Sequence, residues 1–166
     1  MRPTTLCFLM NERGQILLGR KKRGFGVSKW NGFGGKLEPG ETFRQCAVRE
    51  LKEESGITAA PEKLHLAGFL DFKFSVHPEL DHIGYVYFLY TYSGNITETE
   101  EMEPQWFPKN AMPYQHMWQG DRTWIPLLLQ GKKITGTVIF ADDDETVQSL
   151  DITEVETLKE IEKNIT

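Results

Sequence analysis

Residues 35 to 57, GKLEPGETFRQCAVRELKEESGI, decide the fold of this chain, because they join a glycine-containing turn to a helix rich in carboxylates. A Pro-Gly dipeptide at positions 39 and 40 predicts a turn, and Thr42 is a suitable N-cap for a following helix. Gly56 supplies the left-handed residue that commonly ends a helix. These signals predict a helix over about residues 42 to 55.

One edge of this predicted helix carries acids. An apolar row at helical spacing predicts the face that packs on the protein body, and its members are Phe43, Ala47 and Leu51. Glu50 and Glu54 lie beside that row, and Glu53 lies about 60° around the axis from Glu50. The spacing gives Glu50 and Glu54 no basic neighbour on the helix.

Such an edge is electrostatically costly, because like charges four residues apart repel and partial burial adds to the penalty. A hard divalent cation relieves that cost. Oxygen donors alone suit Mg²⁺, or Mn²⁺ in its place, better than Zn²⁺, which prefers histidine and cysteine. The alternative interpretation is an ordinary solvated acidic face.

The spacing of these residues is that of a known family. Gly35 is followed by five residues, Glu41, seven residues and the run RELKEESGI at 49 to 57. This matches every fixed position of G-x(5)-E-x(7)-R-E-U-x-E-E-x-G-U, so the chain resembles the Nudix hydrolases. The resemblance implies cleavage of a nucleoside diphosphate linked to another moiety, with Glu41 and Arg49 organising the box. It implies that the Mg²⁺ ligands include Glu50, Glu53 and Glu54.

The chain has the composition of a soluble globular protein, with 39% hydrophobic and 26% charged residues. At 166 residues, one domain over residues 1 to 166 is the simplest organisation. A net charge of -5 argues against a nucleic-acid polymer as partner, whereas a single nucleotide with its cations remains compatible. Cys7 and Cys46 lack metal-ligand spacing and predict reduced thiols.

The cellular location is also predicted from composition. No segment approaches the roughly 20 apolar residues of a membrane span. The apolar run LCFLM is too short for a signal-peptide core. We therefore expect a cytoplasmic protein without a membrane partner, and we expect a monomer.

Strand-like segments and two helices predict an α/β fold with a mixed β-sheet sandwiched between the helices. The second helix is predicted with Asp121 as its N-cap and Gly131 as its stop, and Pro126 is tolerated only near its first turn. We expect the tail from about residue 154 to 166 to be loose. The predicted strands are residues 3–10, 15–20, 64–74, 84–92, 105–107, 134–141 and 146–153.

A basic, glycine-rich segment precedes the box. Residues 21 to 36, KKRGFGVSKWNGFGGK, interleave five glycines with three aromatic and five cationic side chains. Flexible backbone, flat rings and cations together suit a nucleotide. The alternative is a basic loop whose aromatic side chains belong to the core.

Four segments flanking the box indicate which branch of the family the chain resembles. LLGRKKRGFG, WNGFGGK, EEMEP before a tryptophan, and MW followed by DRTWIPLLLQ resemble the branch of the family that acts on oxidised purine nucleoside triphosphates. That branch hydrolyses 8-oxo-dGTP and 2-hydroxy-dATP to the monophosphate and pyrophosphate. The resemblance implies a role in sanitising the nucleotide pool, which prevents mutagenic incorporation into DNA.

The resemblance also implies substrate contacts, residue by residue. Lys21 and Lys36 would bind the phosphates. Trp118 would stack on the purine, and Asp121 would bind its hydrogen-bonding edge. The remaining residues implied to contact the substrate are Thr5, Phe25, Asn31, Phe33 and Gly35.

The implied metal site combines the box acids with two further groups, the backbone carbonyl of Gly34 and the side chain of Glu101. A water activated by the metal would attack the triphosphate, and Glu53 or Glu101 would accept the proton. The residues implied to be catalytic are Glu50, Glu53, Glu54 and Glu101.

One position departs from the branch, whose members carry paired aspartates after the tryptophan. Here the run is Trp118-Gln119-Gly120-Asp121, which leaves only the second acid. Two adjacent acids can share a proton and so present a donor or an acceptor to different purines. We therefore expect a narrowed or tilted preference among oxidised guanine, 2-hydroxyadenine and alkylated purines.

Two other functions remain open from sequence. The same chemistry could act on ordinary nucleotides, ADP-ribose or a capped RNA end. The chain could also be a nucleotide-binding module without turnover, although unpaired acids on one helix edge argue against that interpretation.

Overall fold

The computed structural model describes residues 2–162 and contains one β-sheet and two α-helices. The helices are α1, Phe43–Ser55, and α2, Asp121–Leu129. The strands are β1 Arg2–Met10, β2 Gln15–Lys21, β3 Trp30–Asn31, β4 His65–Phe74, β5 His82–Leu89, β6 Met102–Pro108, β7 Lys133–Phe140 and β8 Val147–Val155.

The sheet is mixed, as predicted. Its strand order is β3-β2-β1-β5-β4-β7-β8, and β6 also pairs with β2. The pairs β1–β5 and β4–β7 are parallel, whereas the remaining pairs are antiparallel.

The two helices cover opposite faces of this sheet. Successive strand residues point to opposite sides, so neighbours in sequence enter different cores. Cys7 and Tyr87 pack in the core under α1, whereas Phe8 and Phe88 pack with Trp124 of α2. This arrangement confirms the predicted sheet between two helices.

Helix α1 forms where its sequence signals place it. The Thr42 side chain accepts a hydrogen bond from the Gln45 backbone, and the Gln45 side chain accepts one from the Thr42 backbone. This capping box satisfies two donors at the helix start. Gly56 ends the helix with φ of 80°, a conformation that favours glycine. The predicted apolar row, Phe43, Ala47 and Leu51, is fully buried.

Helix α2 differs from its prediction at two residues. Its N-cap is Gly120, and Asp121 is the first helical residue, so Asp121 does not cap the helix with its side chain. Asp121 is instead buried. Pro126 lies inside the helix, beyond the first turn, because the helix begins at residue 121 and not later.

The strand predicted at residues 84 to 92 is displaced towards the N-terminus. β5 begins at His82, because its first residues pair with the parallel β1, including His82 with Arg2. It ends at Leu89, and the chain then turns to pair Ser93 with Thr58 after α1. A pairing between segments so distant in sequence has no local signal.

The expectation of a loose tail from residue 154 is wrong for the described part of that segment. β8 continues to Val155, and the next residues dock on the face of the sheet under α1. The Glu160 carboxylate accepts hydrogen bonds from Arg44 at 2.8 and 2.9 Å, and from the Tyr87 hydroxyl at 2.9 Å. The rest of the predicted loose segment, residues 163 to 166, lies outside the described residues.

Cys7 and Cys46 are both buried and form no disulfide. Over residues 2 to 162, neither helix is long and apolar enough to cross a membrane.

We predict that Glu160→Ala lowers the free energy of unfolding by about 1 to 2 kcal/mol, because it leaves the Arg44 guanidinium and the Tyr87 hydroxyl without their partner. Urea unfolding measures the change. Glu156→Ala, a substitution at an exposed residue of the same segment, is the control and should stay within about 0.5 kcal/mol of wild type. Equal losses in the two variants would contradict the docking of the tail.

Candidate active site

A cleft of about 520 Å³ opens beside β1, between the glycine-rich segment and the start of α2. Most of the residues predicted to bind substrate meet there, although they come from three separate parts of the chain: β1, the segment 21 to 36, and residues 118 to 121. The predicted site residues that line it are Thr5, Lys21, Phe25, Asn31, Gly34, Gly35, Lys36, Glu54, Trp118 and Asp121.

At one end of the cleft, two glycines let α1 and β1 approach each other. A Cβ on Gly34 would lie 1.8 Å from the carbonyl oxygen of Thr5, and a Cβ on Gly35 would lie 2.6 Å from Oε1 of Glu50. No larger residue fits either position without moving backbone or an acid. The Gly34 amide also donates to Oε1 of Glu54 at 2.9 Å.

The acids at this end are crowded. Burial, together with the negative charges of Glu50 and Glu101, raises the pKa of Glu54 to about 8. Burial also raises the pKa of Glu50, against the favourable pull of Arg49. The repulsion predicted from the helical spacing is therefore present.

Arg49 corrects one sequence prediction. Glu50 was expected to have no basic neighbour on the helix, but Nη1 of Arg49 donates to Glu50 at 2.9 Å as well as to Glu53 at 3.3 Å. Its guanidinium also binds Glu41, which lowers the pKa of that carboxyl. Glu50 thus has a basic partner, because the turn before α1 folds Glu41 back and draws Arg49 across the helix edge. Among the described residues, Glu54 has no ion-pair partner.

Glu53 and Glu101 lie at the outer rim and do not line the cleft. Their side chains are 54% and 48% exposed. The loop that carries Glu101 is tied to α1, because the Thr99 hydroxyl donates to the carbonyl oxygen of Glu54 at 3.2 Å. Both acids are near enough to Glu50 to contribute to its raised pKa.

The donor set fits a hard divalent cation. In residues 2–162, no three acidic, histidine or cysteine side chains converge at ligand distance. The acids nevertheless share one region and carry oxygen donors only, and burial together with their mutual repulsion raises the pKa values of Glu50 and Glu54. Glu50, Glu53, Glu54, Glu101 and the carbonyl of Gly34 would hold such an ion.

The other end of the cleft is aromatic. The Trp118 ring lies 5.0 Å from the ring of Phe25 and 5.4 Å from that of Phe140, measured between centroids. Beside it, Oδ2 of Asp121 is buried and has no hydrogen-bond partner among the described residues. A polar atom left unpaired at a cleft wall is ready to bind a ligand.

Burial raises the pKa of Asp121 to about 8, although the nearby Lys29 ammonium opposes the shift. At neutral pH the carboxyl is therefore mostly protonated, so it presents one O–H donor and an acceptor oxygen. This favours a role in binding over the alternative interpretation of Asp121 as an N-cap.

Phe33 is not brought to the cleft. Its side chain is fully buried in the core under α1, and its backbone is paired with Cys7 in both directions. Because neighbouring residues of an extended segment face opposite sides, Phe33 points away from the cleft that Gly32 and Gly34 line.

Sequence reasoning missed much of the cleft wall, including four aromatic side chains. A signal was available for two of these, since the alternation FKF at 72 to 74 puts both phenylalanines on one face of β4. Phe140 follows from its pairing opposite Phe74, which no local pattern reveals. Among the missed residues are Lys29, Phe72, Phe74, Trp124 and Phe140.

Solved structures of similar shape identify the class of fold. The MutT protein from Bacillus halodurans superposes with a TM-score of 0.79 at 23% identity, covering 92% of this chain and 97% of that one. At this identity the likeness establishes a MutT-like fold. The NUDIX domain model matches residues 1–128, which is more than half of the chain. The chain therefore belongs to the Nudix family.

Two curated relatives are more similar in sequence. The chain is 45% identical over 148 residues to the oxidized purine nucleoside triphosphate hydrolase of Mus musculus, covering 89% of this chain and 92% of the relative. It is 44% identical over 140 residues to the protein of the same name from Danio rerio, covering 84% and 88%.

We predict a pH-dependent stability difference between wild type and Asp121→Asn. Between the unfolded pKa of about 3.9 and the folded pKa of about 8, the native state holds a proton that the unfolded state has lost. This stabilises wild type at low pH, and the contribution falls as pH rises, by at most about 1.4 kcal/mol per pH unit.

Asparagine does not titrate, and the other groups are common to both proteins. The wild-type advantage in unfolding free energy should therefore shrink from pH 5 to pH 8 and level off above it. Urea unfolding across this range measures it. A difference independent of pH would mean that Asp121 titrates normally.

Proposed function

We propose that this protein hydrolyses oxidised purine nucleoside triphosphates, of the 8-oxo-dGTP and 2-hydroxy-dATP type, to the monophosphate and pyrophosphate in the presence of Mg²⁺. The observation that carries the proposal is one cleft that reaches from the buried Glu54 on α1 to a tryptophan beside a buried carboxyl. The names of the Mus musculus and Danio rerio relatives support the same substrate class. Such an activity would remove mutagenic nucleotides from the pool.

The acid-rich end is suited to the triphosphate. Lys21 and Lys36 line the cleft there and would offset the phosphate charge. A bound Mg²⁺ would supply activation of the attacking water and charge neutralisation, with Mn²⁺ as a substitute. The buried Glu54 and the partly buried Glu50 would hold the ion, and their positions are set by the Gly34 amide and by Arg49. The more exposed Glu53 or Glu101 would accept the proton.

The aromatic end is suited to the purine. Stacking of a base on an aromatic side chain is worth roughly 1 to 3 kcal/mol, and Trp118 would provide it. Asp121 would bind the hydrogen-bonding edge of the base, because its free Oδ2 is buried in this wall. Asn31 and Thr5 line the same cleft. Together these residues would select a purine by stacking and hydrogen bonding.

We predict that Glu53→Gln lowers kcat by about 100-fold or more while KM changes little, because the change removes an acid from metal binding or proton transfer and leaves the purine contacts intact. Pyrophosphate release from 8-oxo-dGTP measures both constants. Glu100→Gln is the matched control, since Glu100 is an exposed neighbour of Glu101 and should retain wild-type turnover. A wild-type kcat for Glu53→Gln would move the metal and base functions elsewhere.

Gly120 supports a narrowed substrate preference. A Cβ at this position would lie 3.4 Å from Val138 and 3.6 Å from Val147, so an apolar wall stands where the branch carries its other acid. Among the described residues, Asp121 is then the carboxyl that lines the aromatic end of the cleft, and it changes from donor to acceptor as it ionises.

We therefore predict unequal kcat/KM values for 8-oxo-dGTP and 2-hydroxy-dATP, with a ratio that changes between pH 7 and pH 9 as Asp121 loses its proton. Parallel assays of the two nucleotides, with dGTP as reference, measure this ratio. Equal efficiencies at every pH would reject the narrowed preference.

A panel of substrates separates the alternatives. Ordinary triphosphates, ADP-ribose and capped RNA assayed with Mg²⁺ test the same chemistry on another nucleotide. A protein that binds 8-oxo-dGTP but releases no pyrophosphate with any metal would be a binding module. A monomer located in the cytoplasm also stays a prediction, which size-exclusion chromatography and cell fractionation test.

A further inference from the structure

We infer that the acidic turn between β7 and β8 positions the purine-stacking Trp118 through Lys29, and that the pair Lys29–Glu145 sets the affinity for the base without taking part in phosphate cleavage. This inference rests on the proposed function, because it assigns the stacking surface to Trp118. It gives a role to the acidic run at residues 142 to 145, which the catalytic site does not use.

The first contact is between a cation and an indole. The Nζ atom of Lys29 lies 5.2 Å from the centroid of the Trp118 ring, and both side chains line the cleft. The Lys29 side chain is only 23% exposed. A cation at this distance from a tryptophan ring attracts its π face, more strongly where water is partly excluded. Lys29 therefore restrains the ring that would carry the base.

The backbone of Lys29 is held firmly enough to aim its side chain. Its carbonyl oxygen accepts from the Lys21 amide at 3.1 Å, and the Ser28 amide donates to the Lys21 carbonyl at 2.7 Å. The loop between these bonds passes close to the indole, since a Cβ on Gly26 would lie 3.2 Å from Cζ2 of Trp118. The same loop therefore carries Lys21, at the proposed phosphate end of the cleft, and Lys29, at the proposed purine end.

The second contact joins Lys29 to the acidic turn. Nζ of Lys29 lies 3.5 Å from Oε1 of Glu145. The turn is itself tied to two other parts of the cleft rim. Nδ1 of His77 lies 2.8 Å from Oδ2 of Asp144, and the Val147 amide donates to the Gln119 side chain at 2.6 Å. Gln119 follows Trp118 directly, so the turn holds the tryptophan from its backbone as well as through Lys29.

The physical effect is preorganisation. A tryptophan that is already held in its stacking orientation loses less freedom when a base binds. Glu145 is 67% exposed, so its individual effect on affinity is small, of the order of 3-fold. Lys29 contacts the ring directly, and its loss should have a larger effect, about 5- to 10-fold. Among the described residues Glu145 pairs with Lys29 and not with a residue of α1, so kcat should not change when Glu145 is replaced.

Charge reversal provides a sharp test, because the ligand is an anion. Glu145→Lys adds positive charge near the cleft, and simple electrostatic attraction would then tighten binding. If Glu145 acts by positioning Lys29, the same substitution should weaken binding, since the new lysine repels Lys29 from its place over the Trp118 ring. Isothermal titration with 8-oxo-dGMP should give a Kd raised about 3-fold in Glu145→Lys and more in Lys29→Glu.

The double variant with Lys29→Glu and Glu145→Lys has the wild-type net charge and can rebuild the ion pair, but with an acid over the indole. We therefore expect its Kd to lie nearer that of Lys29→Glu than that of wild type. Recovery of wild-type affinity would overturn the cation–π part of the inference. Asp142→Lys is the matched control, because Asp142 is exposed in the same turn and forms no ion pair among the described residues. Its Kd should not rise.

Two further measurements separate this inference from the proposed function. Trp118→Ala should weaken 8-oxo-dGMP binding by at least about 10-fold, and no change would reject stacking on Trp118 itself. If Trp118→Ala weakens binding while Glu145→Lys and the milder Glu145→Gln do not, only the role of the acidic turn fails. kcat for 8-oxo-dGTP should stay at the wild-type value in both Glu145 variants, and a large fall would indicate a general loss of structure.

Discussion

The close approach of α1 to the backbone of β1 is the constraint on which the rest of this structure depends. Gly34 and Gly35 lie between the two elements, where a side chain on either would meet the Thr5 carbonyl or the Glu50 carboxylate. Because these glycines carry no side chain, Glu54 can line the cleft and Glu50 can lie against Gly35, on a helix whose adjacent apolar row is buried. Arg49 holds Glu50 and the Gly34 amide holds Glu54, and this end of the cleft is the one proposed to bind phosphate.

The two ends of the cleft use burial differently. At the acid end, burial and mutual repulsion raise the pKa values of Glu50 and Glu54, and a divalent cation would offset the repulsion between the carboxylates. At the aromatic end, burial raises the pKa of Asp121 to about 8 and leaves a neutral group that can donate as well as accept. A triphosphate with a purine base needs both environments. The glycine-rich segment joins them, since Lys21 and Lys29 are hydrogen-bonded to each other through their backbones.

Much of the fold followed from local patterns. The bounds of α1 were predicted from Thr42 and Gly56, because caps are made by residues adjacent in sequence. The α2 prediction failed at Asp121, since the same residue type suits an N-cap and a buried carboxyl, and only its surroundings distinguish them. The docked tail was missed for a similar reason. The sequence alone predicts that Glu160 is a solvated acid. Only the tertiary structure shows that Arg44 and Tyr87 donate hydrogen bonds to it.

The sequence by itself determined the family and ten of the residues that line the cleft, because the box spacing and the flanking segments are local and specific. Tertiary structure alone decided which of these residues meet. It placed Phe33 in the core, gave Glu50 a basic partner, and brought Lys29, Phe140 and the acidic turn to Trp118. Electrostatic environment, ring contacts and burial depend on distances between segments that are far apart along the chain, and helical or strand periodicity carries no information about those distances.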